Sequence, residues 1–187
     1  MASVLATSLT ITRHRTQHMA DETIALTRYI ILSLIRTNVD CPSKLAWKFR
    51  TLVSNVRDEK KLLLSGSCHQ ISLTNDNAQA TFFAIADEVF EDAINWGRIV
   101  TFYAFAVEVA EYFERQGAPH MINSVIEWTA LFVEQKLSTW IKREGGWNKL
   151  EHLDFASSPT QKLLWKGLLV TATTLGLGAF AAIVYTK

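Results

Sequence analysis

The chain has 187 residues, 49% hydrophobic and 11% aromatic, which is too apolar for intrinsic disorder and long enough for one domain with a sizeable core. Its formal net charge of +1 gives no basic surface of the kind that holds nucleic acid. Two cysteines, Cys41 and Cys68, stand at no metal or redox spacing, and only three prolines and eight glycines interrupt the many helix formers.

Residues 1–19 carry Arg13 and Arg15, many Ser and Thr, and no acid before Asp21. The composition is that of a mitochondrial presequence, but a flexible N-terminal tail is the simpler expectation. From Asp21-Glu22 onward Ile24, Leu26, Tyr29, Ile30, Leu34 and Ile35 recur at helical spacing, with the acids suited to a helix start. Asp40-Cys41-Pro42 breaks that helix. A second is predicted from about Ser43 to Leu64, with Leu45, Phe49, Leu52 and Val56 spaced four, three and four residues apart. Ser65 to Gln70 reads as a loop or short helical turn. Thr74-Asn75-Asp76 is a capping cluster, and Phe82, Ile85, Val89 and Phe90 form the stripe of the helix it starts.

Asn95 is a good N-cap for the stretch that follows, and Glu91 and Asp92 place negative charge ahead of it. Ile99 to Val107 carries no charge on any side. Such a run is either buried or membrane-spanning, and it is too short to span before Glu108, Glu111 and Glu114, so a buried central helix is expected. Arg98 stands at the start of that helix beside Gly97, which lets another backbone approach closely, and the pair suggests a docking point for an acidic helix. Gly117-Ala118-Pro119 ends the central helix. A largely apolar helix from about Pro119 to Lys136 comes next, and then Gly145-Gly146 as a break before a short helix from Trp147 to about Asp154. Residues 156–166 form a linker containing Pro159. The 20 uncharged residues Gly167 to Thr186 match the length of a membrane span, with Lys162, Lys166 and Lys187 flanking them and Trp165 and Tyr185 at interfacial positions. A C-terminal transmembrane tail anchor is therefore expected there.

The segment from Val89 to Val100, centred on Asn95-Trp96-Gly97-Arg98, closely resembles the first homology motif of the Bcl-2 family of apoptosis regulators. Trp140-Ile141-Lys142-Arg143-Glu144-Gly145-Gly146-Trp147 resembles the second, and the helix around Tyr29 looks like the family's amino-terminal motif. The resemblance implies an all-α, Bcl-2-like bundle of about eight helices over residues 20–155, built round a buried central hairpin. It implies an apoptosis inhibitor that binds the amphipathic death-motif (Bcl-2 homology 3) helices of pro-apoptotic relatives in a hydrophobic groove. Carried over by motif, the groove residues are Phe49, Leu52, Val56, Ile85, Val89, Val100, Thr101 and Phe105. Arg98 is expected to face the groove and pair with the ligand's aspartate, with little part in folding. Asn95 would cap the same helix end, Gly97 would allow the close approach, and Trp96, Trp140 and Trp147 would brace the motifs. The third homology motif normally places a small residue and an aspartate where this chain has Val53 and Ser54. A pore-forming effector of the same fold, the alternative reading, needs that aspartate to dock into a neighbour's groove. The tail would insert into the outer mitochondrial membrane, with the endoplasmic reticulum as the other candidate.

His14, His18, His69, His120 and His152 show no pair at metal-ligand spacing, and no phosphate loop or nucleophile motif is present. No enzyme activity, metal or cofactor is expected.

Overall fold

The computed structural model describes the backbone of residues 2–36, 38–70 and 73–152, and side chains within 17–36, 38–58 and 73–152. All regular structure within it is helical: α1 (Ala2–Ile35), α2 (Lys44–Gln70), α3 (Ala78–Phe90), α4 (Trp96–Arg115), α5 (Met121–Phe132), a π-helical turn (Val133–Leu137), α6 (Ser138–Arg143) and α7 (Lys149–His152). The expected span Gly167 to Thr186 lies outside the described residues, and among these no helix is long and apolar enough to cross a membrane.

Helix α4 is the axis of the fold. Every residue from Trp96 to Ala110 is buried. A helix with no charge over this run has no face to offer water, so it is enclosed on all sides by α1, α2, α3 and α5. At 20 residues it extends about 30 Å, the width of the domain. Its end is a Schellman turn: Gly117 adopts φ +74° and the Ala118 N–H reaches back to the Phe113 carbonyl at 2.9 Å.

Three boundaries differ from those predicted. Helix α1 begins at Ala2, so residues 2–19, expected as a flexible tail, continue the same helix. That stretch has no proline or glycine to stop it, and acids favour a helix start without being required for one. Helix α2 runs through Gly66 to Gln70, where a loop or a short helical turn was expected; one glycine costs about 1 kcal/mol within a helix and does not break it. Its start is as predicted, with the Ser43 hydroxyl accepting from the Ala46 N–H at 3.1 Å. The third case is the helix expected to end near Lys136, which passes through the π-turn into α6. Val133, Leu137 and Ile141, four residues apart, are all fully buried along it.

The second motif closes the bundle. Gly145 and Gly146 hold φ +103° and +75°, and the Gly146 N–H bonds the Ile141 carbonyl at 2.8 Å. This drops Trp147 into the core, where its indole N–H donates to Thr23 Oγ1 of α1 at 3.1 Å. Thr27 donates to the Thr23 carbonyl at 2.8 Å and shares a 2.9 Å bond with the Tyr103 hydroxyl. The second motif, α1 and α4 are thus tied by one buried polar chain. Burial pushes the Tyr103 phenol up, with the hydrogen bond to Thr27 pulling the other way.

Candidate functional site

The site is built where α3 ends and α4 begins. Asn95 is extended (φ −153°, ψ 164°), and its Oδ1 accepts from the Arg98 N–H at 2.9 Å. This is the N-cap expected from the sequence, and it fixes Trp96, Gly97 and Arg98 as the first turn of α4. Trp96 packs edge-to-face on Trp140 at 5.2 Å and lies 6.1 Å from Trp147, so the indoles do clamp the two motifs together.

Arg98 is placed differently from the expectation. It is buried, at 6% exposure, rather than open to a groove. Its Nη1 donates to the Val89 carbonyl at 2.7 Å, and its Nη2 to Asp92 Oδ2 at 3.0 Å. Val89 lies in the last turn of α3, whose final carbonyls have no helical partner and form the negative end of the helix dipole. The guanidinium therefore caps α3 at its C-terminus while starting α4, which gives it a role in folding that its motif position did not imply. Glu88, Glu91 and Asp92 crowd the same negative end. Burial first, then repulsion from Glu91 and Asp92, raises the Glu88 carboxyl. Of these acids, Arg98 pairs with Asp92.

Beyond Arg98 the predicted groove residues fall into two groups. Val89 of α3 touches Arg98, and Phe105 of α4 stacks on Phe82 of α3 at 5.4 Å. Phe49 of α2 instead packs on Tyr103 at 4.7 Å and Trp147 at 5.5 Å. Among the described residues α2 and α3 both lie on α4 and make no helix-to-helix contact with each other. The groove expected from the motifs is not open to solvent: Phe49, Leu52, Val56, Ile85, Val89, Val100, Thr101 and Phe105 are all buried. The Thr101 hydroxyl, one turn after Arg98 on the same side of α4, is buried without a hydrogen-bond partner. An unpaired buried hydroxyl costs about 1–3 kcal/mol, so this part of α4 is under-satisfied.

A further ion pair joins α2 to α4, and no local pattern announces it. Arg57 of α2 donates through Nε to Glu108 Oε1 of α4 at 2.8 Å and also bonds Glu111. Glu108 is only 3% exposed. A cleft of about 510 Å³ opens between the end of α1 and the start of α2, beside Tyr29, Arg36, Trp47 and Arg50. It contains none of the residues predicted for the site, and size alone does not make it the site; the charge, capping and unpaired hydroxyl are all at Arg98.

A family model described as "Apoptosis regulator proteins, Bcl-2 family" matches residues 49–147. The chain is 32% identical over 117 residues to dog apoptosis regulator Bcl-2, covering 57% of this chain and 49% of that protein. It is 28% identical over 122 residues to the chicken Bcl-2-related ovarian killer protein, covering 65% of this chain and 54% of the relative. The chain thus spans about half the length of the relatives it matches. Among solved structures, Trichoplax adhaerens trBcl-2L2 bound to trBak BH3 superposes with a TM-score of 0.68 at 28% identity, covering 73% of this chain and 99% of that one. A zebrafish pro-survival protein, NRZ, in complex with Bad BH3 shares the fold with a TM-score of 0.68 at 18% identity, covering 73% of this chain and 95% of that one.

Proposed function

The chain belongs to the Bcl-2 family of apoptosis regulators, and from that premise we propose that it is a pro-survival member that sequesters the death-motif helices of pro-apoptotic relatives. The observation that carries this reading is Arg98, a buried cation on the capped first turn of α4, the helix on which α2 and α3 both lie without touching each other. An amphipathic helix lying between α2 and α3 would put its apolar face on Leu52, Ile85, Val89 and Phe105 and its aspartate on Arg98. Each anchor filling such a pocket contributes roughly 1.5–3 kcal/mol before the costs of ordering. The similar structures from Trichoplax and zebrafish carry BH3 segments, which supports the same mode of use here. The activity is binding, without catalysis or cofactor.

Similarity to an ovarian killer protein favours the second reading, a pore-forming effector. Two features of α2 weigh against it. Ser54 stands where an exposed third motif would need its aspartate, and Arg57 ties the same helix to a buried glutamate on α4. We further propose that Gly167 to Thr186 anchors the chain in the outer mitochondrial membrane, or alternatively in the endoplasmic reticulum. Expression in cells under an apoptotic stimulus, paired with dye release from liposomes treated with full-length protein and a BH3 peptide, tests the assignment. Protection without dye release is expected; killing with dye release would establish the effector reading instead.

A further inference from the structure

Arg98 is not waiting empty for a ligand. One arm of its guanidinium is held by the Val89 carbonyl, which belongs to the helix framework and cannot leave. The other is held by Asp92, at 3.0 Å. Asp92 lies past the end of α3, outside any helix, and its side chain is 59% exposed while that of Arg98 is 7% exposed. The carboxylate therefore covers the buried cation from the solvent side, the side from which a ligand must come. It can swing into water without disturbing a helix.

We propose that Asp92 is an internal substitute for the ligand's carboxylate, and that a death-motif helix gains Arg98 only by displacing it. This rests on the reading of Arg98 as the ligand's ionic partner. The exchange trades one carboxylate for another on the same arm, so the advantage a peptide draws from its aspartate is the difference between two ion pairs. A peptide without the aspartate leaves Asp92 where it is and forgoes only that difference. Asp92 is thus a specificity-determining residue. It narrows the preference for aspartate-bearing helices and keeps a buried guanidinium neutralised when no partner is present.

The test is calorimetry on full-length protein with a synthetic Bak BH3 peptide and the same peptide with its motif aspartate replaced by asparagine. Wild type is compared with Asp92→Asn, Asp92→Ala and Glu91→Gln. Glu91 is exposed and makes no contact with Arg98, so its variant reports the general field alone. Removing the competing carboxylate should tighten the aspartate peptide by roughly two- to ten-fold, as expected for an ion pair with one exposed member, and leave the asparagine peptide unchanged. Circular dichroism should show the wild-type helix content in all variants. Equal gains from Glu91→Gln, or equal gains for both peptides, would overturn the proposal, as would binding with no gain at all. If neither peptide binds any form, the groove reading itself falls and this inference with it.

Discussion

Replacing Arg57 with alanine tests what holds α2, the helix carrying the third-motif positions, against the central helix. Arg57 makes two contacts to Glu108, at 2.7 and 2.8 Å, and a third to Glu111. The partners are unequal: the Glu111 side chain is 33% exposed and also meets Arg115, whereas Glu108 is 4% exposed at the side chain and sits among the buried residues of α4. Removing the arginine would leave Glu108 a buried charge with no cation. Breaking such a pair by taking away one member costs about 3–5 kcal/mol, a large share of a total stability of roughly 5–15 kcal/mol. Most of that cost is the abandoned charge, so Glu108→Gln in the Arg57→Ala background should recover about 1–3 kcal/mol. Urea unfolding followed by circular dichroism measures both, with midpoints shifting at constant slope. A loss below about 1 kcal/mol for Arg57→Ala, or strictly additive losses in the double variant, would refute the reasoning. A large coupling would also mean that α2 does not peel off readily, in keeping with a binder rather than an effector.

Tyr103→Phe should cost about 0.5–1.5 kcal/mol in the same assay, because it removes the hydroxyl that completes the Thr27–Thr23–Trp147 chain; no loss would mean that chain is not a stabilising one. Glu88 has its carboxyl raised above the ordinary 4.5 in the fold, so it favours folding when protonated, and that contribution is lost as pH rises through the raised value. Glu88→Gln should therefore raise the melting temperature near neutral pH and make progressively less difference as the pH falls below 4.5; an equal effect at both ends would contradict the assignment.

Much of this architecture was legible because it is local. An N-cap residue followed by an uncharged run can only be a buried helix start, and Asn95 and α4 are as expected. Breakers at Pro42, Gly117 and the Gly145-Gly146 pair act over a few residues and were read correctly. At Ser65 to Gln70 loop and helical turn compete, because a single glycine weakens a helix without ending it, and the π-turn is invisible because apolar spacing on either side remains helix-like. The ion pair between Arg57 and Glu108 joins residues 51 apart, and no periodicity encodes it. Arg98 was misjudged for a related reason. Its motif position fixed where it starts α4, but its burial depends on how the 91–95 connection folds the end of α3 back over it. The acids read as a negative lead-in to α4 turn out to be, in Asp92, the partner of that arginine.

The most direct test of the central claim is a double-mutant cycle on Arg98, measured by calorimetry with full-length protein. Because Arg98 also caps α3, Arg98→Gln is first checked for wild-type helix content, and the binding terms are compared only between folded forms. Wild type should lose about ten-fold or more in affinity when the Bak BH3 aspartate becomes asparagine, the scale of an interfacial charge pair reduced by the competing Asp92. Arg98→Gln should bind the aspartate peptide more weakly than wild type does and lose little further when the aspartate is removed, since both changes delete one interaction. Full additivity, or an Arg98→Gln protein that binds the aspartate peptide as tightly as wild type, would contradict the account.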